Sequence, residues 1–469
     1  MFQELLITIY PIYNDRRTKT IPTCPYKFPN GQGDVRKFLE GIRNSEAWKS
    51  EHGLVYRIWS GMRSEIVITR PEHIRAVFGD SDRHIKAPSS NSGYLMSELL
   101  GSCVGLISGK QWKTVRSGIK GSFERQSVGN YFPLVQRHIA RHLKEILGDG
   151  FPRKALLDPA EELKMLPFWI VAEILYGELD QDMVADLKDI VPLRERLFKQ
   201  IINGGLTRFS LSRFLPTVAN KGMATFQTRW RAFNDRAYER ARELAELTKP
   251  IVSMYEGAYK GSVTFEHVLQ TLDECLFANL DVTTGAMSWN VIFLAANKQY
   301  QHMLVKELAL QSTTKRKCQY ILNNGTLLAC CVSESARLRP AAAFSVPQSA
   351  PTARVVDEYV IPAGTDIIID AYSLNVHSGF WGPDADTYRP ERFLEKSSVE
   401  QRYHYWRFGF GPRQCLGKYL ADIIIRSLII YLVENYELSI TNASDEWQQN
   451  PEVWISHPHM KVNCLPRNG

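Results

Sequence analysis

Residues Phe408 to Gly417 read Phe-Gly-Phe-Gly-Pro-Arg-Gln-Cys-Leu-Gly, and they constrain this chain more than any other stretch. One cysteine, Cys415, lies among glycines at 409, 411 and 417, with Arg413 two residues before it. Glycine permits positive φ and close backbone approach, so such a loop can wrap around the sulfur and aim N–H groups at it. This is how a protein presents a thiolate to haem iron, pushing electron density onto the metal and favouring O–O cleavage. Phe408 can pack beside the loop, and Arg413 can reach a haem propionate with a planar bidentate fork. The competing reading is a buried structural cysteine in a glycine-rich turn, and the full spacing argues against it.

The loop resembles the cysteine-ligand loop of the cytochrome P-450 haem-thiolate monooxygenases: Phe, two residues, Gly, one residue, Arg, one residue, Cys, one residue, Gly. Phe408, Gly411, Arg413, Cys415 and Gly417 meet every fixed position. The resemblance implies the cytochrome P-450 fold, mainly α with a minor β region, holding haem b with Cys415 as the iron ligand. It implies oxidation of an apolar small molecule by dioxygen, with two electrons from an NADPH-dependent cytochrome P-450 reductase.

Length alone would allow the 469 residues about three average domains. The motifs run from Trp112 to Gly417 and must converge on one cofactor, so the expectation is a single domain over 26–469 behind an N-terminal stub, 1–25. The stub carries Leu5, Leu6, Ile7, Ile9 and Ile12, far short of the roughly 20 apolar residues that span a bilayer. Eukaryotic relatives carry an anchor followed by basic and proline-rich residues. Here Arg16, Arg17, Lys19, Pro22 and Pro25 follow the stub, which reads as the remnant or replacement of an anchor; with a native anchor, the cytosolic face of the endoplasmic reticulum membrane is expected.

Eight cysteines without Cys-x-x-Cys spacing exclude a zinc ribbon or redox pair and read as reduced thiols. Asn324-Gly-Thr and Asn442-Ala-Ser match glycosylation acceptors, a pattern common by chance. The net charge of +7 comes without Lys/Arg runs interleaved with stacking aromatics, so no nucleic-acid partner is expected. Lys110, Lys113, Arg407, Arg413 and Lys418 lie in or beside segments that should surround the thiolate side, suited to docking an acidic electron donor; taken singly each reads as solvated surface.

Residues 53–69 alternate around a Ser-Gly turn as a β-hairpin, and Pro71 suits the first turn of a helix. The middle is helical, as in Glu161 to Leu175 and Thr225 to Leu247. Around Val355 to Tyr372 a Pro-Ala-Gly turn separates two apolar runs. Tyr419 to Val433 is nearly all apolar apart from Asp422 and Arg426, which reads as a helix buried behind the haem.

Three pairs of residues gain meaning from the resemblance. Trp112 and Arg116 share one helical face, and the resemblance implies that they hold a propionate. Glu334 and Arg337 share a face of a helix over Leu327 to Leu338, and in the family this pair joins a later arginine, matched by Arg392, to stabilise the fold and position the haem loop. Within a helical pattern from Thr264 to about Asn297, Phe277 to Gly285 is similar to the family's oxygen-binding helix. Ala278, Asp281 and Thr283 are kept, but Asn279 stands for a glycine and Val282 for the threonine that normally positions a proton-donating water. Two readings of Thr283 remain open. With Asn279, its i,i+4 neighbour, it orders a water; or it bonds back to the carbonyl of residue 279 and bends the helix.

The segment at 91–93, Asn279, Asp281-Val-Thr and the stretch from Arg339 resemble fungal members that tailor secondary metabolites, including dioxopiperazines of the gliotoxin type. Phe277, Ala342, Ala343 and Phe344 are the expected substrate pocket, its alanines leaving room for a bulky aromatic or bicyclic substrate or else packing simply. The lost threonine keeps two rivals in view: a haem-thiolate isomerase, dehydratase or peroxide-using enzyme, and a haem sensor without turnover.

Overall fold

A computed structural model describes residues 2–148, 155–441, 455 and 457–467. Its architecture is mainly α with a minor β region, as expected. Val55–Ser60 and Arg63–Ile68 form the antiparallel hairpin, turned at Gly61 with φ 57°. Arg63–Ile68 then pairs in parallel with Asp366–Ile369, and the sheet continues through Gln348–Ser349 to Ile85–Lys86. The two apolar runs flanking Pro362-Ala363-Gly364 do not pair with each other. Tyr359–Ile361 joins Arg354–Val356 in a separate ribbon, whereas Ile367, Ile368 and Ile369 are buried together and take an interior place in the larger sheet.

Met165–Tyr176 is apolar all round and correspondingly buried. The helix expected over Glu161 to Leu175 is two, Pro159–Glu162 and Met165–Tyr176. Pro167 is tolerated in a first turn, but its ring would clash with the carbonyl of Leu163 in a continuous helix, so the break falls before Met165. The pattern from Thr264 begins with a capping box between Thr264 and His267. It runs through Phe265–Ala278, widens into a π turn at Asn279–Thr283, and resumes as Thr284–Ala296. Leu327–Leu338 has the expected bounds.

Lys418–Asn435 is the buried helix after the cysteine. Its interior charges are paired: Asp422 holds Arg407 at 2.7 Å and Arg426 at 3.3 Å. No described helix is long and apolar enough to cross a membrane. The helix Phe2–Ile9 leaves Phe2, Leu5 and Ile9 exposed, while Ile12 and Ile21 enter the apolar cluster of Val55 and Ile68. Asn324 Oδ1 accepts from Arg426 at 3.0 Å, and Asn442 lies outside the described residues.

Candidate functional site

The Phe408–Gly417 loop is closed by the Cys415 N–H donating to the Phe408 carbonyl at 2.9 Å. Gly409 and Gly411 adopt φ of 80° and 64°, and a Cβ at 411 would come within 2.4 Å of Ser81 Oγ, so both the turn and the close approach require glycine. Cys415 borders an open cavity of about 590 Å³ whose lining includes Trp112, Arg116 and Gln414 together with the exposed Lys113 and Lys120. Cys415 is exposed, yet the surrounding protein mass pushes its pKa up; a Gly417 N–H bond and the Arg116 and Lys418 charges pull the other way. A thiol so placed becomes a thiolate when a cation binds it.

The helix Gly109–Lys120 brings Trp112 and Arg116 to the same cavity, with the Arg116 guanidinium 5.4 Å from the Trp112 ring centre and Arg413 at 4.5 Å. Arg116 donates to the Gln414 carbonyl at 3.1 Å and Arg413 to the Ile107 carbonyl at 2.8 Å. Among the described residues neither guanidinium has a carboxylate in ion-pair reach. Burial lowers both, Arg413 to about 10. Two half-buried cations satisfied only by carbonyls, beside a thiol in a glycine loop, fit a cofactor that carries carboxylates and a thiolate-binding metal. Haem meets that description. Lys86, which no sequence signal singled out, adds to the cationic side; burial and the nearby Arg413 lower it to about 8.

Behind the loop, the structure brings Glu334, Arg337 and Arg392 together, all fully buried. Glu334 accepts from Arg337 Nε at 2.7 Å and Nη2 at 2.9 Å, and from Arg392 Nε at 2.8 Å. Arg337 Nη1 continues to the Asn375 carbonyl at 2.9 Å. The Asn375 side chain grips both the N–H and the carbonyl of Trp406, at 2.8 and 2.9 Å. Buried charge is thereby tied to backbone two residues before Phe408. Asn375 was not found from sequence, because a lone asparagine 40 residues before the cysteine has no motif around it.

Along the long helix, Ala278 is exposed and Glu274, Cys275 and Val282 are half-buried, an i, i+4, i+8 stripe that leaves one face open. Glu274 accepts the Gly105 N–H at 2.9 Å; burial raises its pKa. Thr283 Oγ1 donates to Asn279 Oδ1 at 2.8 Å, whereas Thr284 Oγ1 takes the carbonyl of residue 279 at 3.1 Å. Of the two readings of Thr283, its pairing with the Asn279 side chain is the geometry found. Asp281 is half-buried in the π turn, and its carbonyl accepts from His457 Nε2 at 2.8 Å.

Phe277 is turned away from the open stripe into an aromatic cluster, 5.6 Å from Phe168 and 5.3 Å from Trp230, with 3% exposure. Ala343 and Phe344 are likewise core residues, Phe344 lying 5.5 Å from Trp48. Ala342, with Ala341 before it, remains half-exposed. Phe277, Ala343 and Phe344 thus pack among apolar neighbours, and Ala342 keeps more of its surface accessible. Arg407 is committed to Asp422, and Arg413 to the interior. The exposed cations beside the loop are Lys113, Lys120 and Arg125, with Lys418 half-exposed and Lys110 exposed further along.

A sequence model of the cytochrome P-450 family matches residues 39–463. The cytochrome P-450 monooxygenase aclC of Aspergillus oryzae is 51% identical over 99% of this chain and 96% of its own length. The monooxygenase asaD of Aspergillus flavus is 48% identical, covering 97% of this chain and 88% of its own. The monooxygenase gliC of Aspergillus fumigatus is 38% identical, covering 97% and 91%.

Proposed function

The chain belongs to the cytochrome P-450 family and is a monooxygenase that uses haem iron, dioxygen, a small-molecule substrate and a redox partner; from that premise we propose that it performs a tailoring oxidation of an apolar secondary metabolite, of the dioxopiperazine class. The observation that supports the reading is Cys415 in its glycine loop, with Arg116 and Arg413 held by backbone carbonyls and, among the described residues, without a carboxylate in ion-pair reach. Haem b, when bound, supplies the oxidising chemistry. Cys415 holds its iron, Trp112, Arg116 and Arg413 hold its propionates, and Phe408 and Gly417 shape the loop. Glu334, Arg337 and Arg392 keep that loop in position. Asn279, Asp281 and Thr283 order the protons that the oxidation consumes, and Ala342 with the Ala278 face bounds the substrate.

Electrons come from an NADPH-dependent cytochrome P-450 reductase docking on Lys113, Lys120 and Lys418. Contact with the cytosolic face of the endoplasmic reticulum membrane is supported by Leu206, Leu211, Phe214 and Leu215 in one connection between helices and by Val218 at the start of the next helix, all at least half exposed. Phe28 stacks near that connection, 6.5 Å from Phe209.

The test is a reduced carbon monoxide spectrum of the haem-loaded protein and of Cys415→Ala, then NADPH consumption with reductase while dioxopiperazines are screened for a change in iron spin state. A thiolate-type spectrum surviving in Cys415→Ala refutes the ligand. Substrate conversion without NADPH would favour the isomerase or dehydratase reading, conversion supported by peroxide alone the peroxide-using one, and binding without turnover the sensor.

A further inference from the structure

A π turn holds one residue more than a regular helical turn, weakens the local hydrogen bonding and needs support from outside itself. At 279–283 the support is visible. Asn279 Nδ2 donates to the Cys275 and Leu276 carbonyls at 2.7 and 3.2 Å, which leaves Oδ1 facing Thr283. Thr284 Oγ1 ties the Asn279 carbonyl, and at 3.3 Å the Lys164 carbonyl. His457 comes from the far C-terminal segment and is 4% exposed. Its Nε2 lies 2.8 Å from the Asp281 carbonyl, at the middle of the turn. A carbonyl only accepts, so Nε2 carries the proton in this contact. Burial lowers the His457 pKa, against the Asp281 carbonyl bond and the Asp281 charge that raise it, and Lys164 and Glu161 also face the ring. Lys164 is itself held by Glu195 at 2.5 Å.

We propose that His457 is a positioning residue for oxidation at this site: by donating to the Asp281 carbonyl it holds the π turn in the form that joins Thr283 to Asn279, and so governs how protons are partitioned between product and peroxide. This deepens the function proposed above and rests on it for the partition, though not for the turn. The family motif at 277–285 says nothing of position 457, and a histidine 42 residues beyond Cys415, in His457-Pro458-His459, gives no sequence signal. The contact exists only because the C-terminal segment folds back over the helix.

The experiment compares His457→Phe, which keeps the ring's bulk without a donor, and His457→Gln, which keeps a donor and no titratable ring. Amide hydrogen exchange of the haem-loaded proteins is read over residues 280–285. His457→Phe should speed exchange there roughly tenfold, the scale of one lost buried hydrogen bond, while His457→Gln restores the parent rate. With reductase and a dioxopiperazine bearing an aromatic side chain, His457→Phe should release more peroxide per NADPH at unchanged substrate affinity, and His457→Gln should recover product. Parent-like exchange in His457→Phe overturns the proposal. So does His457→Gln exchanging as fast as His457→Phe. If His457→Phe fails to load haem, His457→Gln decides alone, parent-like exchange supporting the assignment and faster exchange refuting it. A parent that turns over no dioxopiperazine refutes the proposed substrate, while exchange still decides the role of His457 in the turn.

Discussion

Glu334→Gln tests whether one carboxylate holds the scaffold behind the cysteine loop. Glu334 accepts from Arg337 Nε and Nη2, from Arg392 Nε and from the Arg389 N–H, the last at 3.0 Å, and its side chain and both guanidiniums are fully buried. Glutamine keeps one accepting oxygen, turns an NH2 toward a guanidinium and removes the compensating charge. Removing one partner of a buried ion pair costs about 3–5 kcal/mol, and here two cations lose the same partner. Unfolding entropy near 2.1 cal/mol/K per residue sums to about 1 kcal/mol/K for 469 residues, so the midpoint should fall by about 3–5 °C. Because Arg337 reaches Asn375, and Asn375 grips Trp406, the reduced carbon monoxide spectrum should lose its thiolate form at a correspondingly lower temperature. Circular dichroism melts and that spectrum, taken on one haem-loaded sample, read both effects. A midpoint within about 1 °C of the parent with an equally durable thiolate spectrum would refute the reasoning, since a buried pair left uncompensated cannot be that cheap.

Three further outcomes follow from the same geometry. Thr283→Ala removes the hydroxyl that joins Asn279 and should divert electrons to peroxide, by up to the ~10²- to 10⁴-fold typical of general-acid assistance, whereas Val282→Thr should change little; equal coupling in Thr283→Ala rules out the paired relay. Lys113→Glu with Lys120→Glu should slow reduction by reductase at low salt and leave substrate affinity alone, the difference fading as the Debye length shrinks to about 8 Å at physiological ionic strength; salt-independent, parent-like reduction in stopped flow counts against the docking face. Arg194→Met strands Asp273, which it holds through Nε at 2.9 and 3.2 Å. The thermal midpoint should drop by the few degrees expected of a broken buried pair, and adding Asp273→Leu should recover most of it; no recovery would mean that lost packing, not stranded charge, sets the cost.

What sequence could reveal depended on how local the chemistry is. The cysteine loop was legible because its glycines, arginine and thiol act within ten residues, and their spacing is the geometry. The Glu334–Arg337 pair was legible as one helical face, and Arg392 through what the family resemblance implies. The bounds of Leu327–Leu338 were legible from the proline at 340 that follows it. The sheet was only half legible: two apolar runs around a turn signal read as strands, but their partners lie elsewhere, because strand pairing is chosen by tertiary neighbours. The burial of Phe277, Ala343 and Phe344 among core neighbours was beyond sequence for the same reason. A sequence reports that such residues are apolar, and not which of two apolar environments they fill. Asn375 and His457 act across the chain on backbone atoms, which any sequence possesses, so their roles had no local signature.

The two departures in the oxygen-helix motif then become one change. An i→i+5 turn holds one residue more than an i→i+4 turn, so beyond the π turn each side chain stands about where its predecessor would on a regular helix. Thr283, the last residue of the π turn, is buried and spends its hydroxyl on Asn279, while Val282 keeps the half-buried face shared with Glu274 and Ala278. Asn279, in place of glycine, is what the displaced hydroxyl requires: its amide nitrogen is consumed by the Cys275 and Leu276 carbonyls, so its oxygen is the atom left to receive Thr283. A glycine at 279 would leave Thr283 free to bond back to the main chain, as Thr284 does. Substituting Asn279 alone would break its pair with Thr283 rather than restore a motif. Asn279→Gly should therefore harm coupling even though it moves the sequence closer to the family pattern.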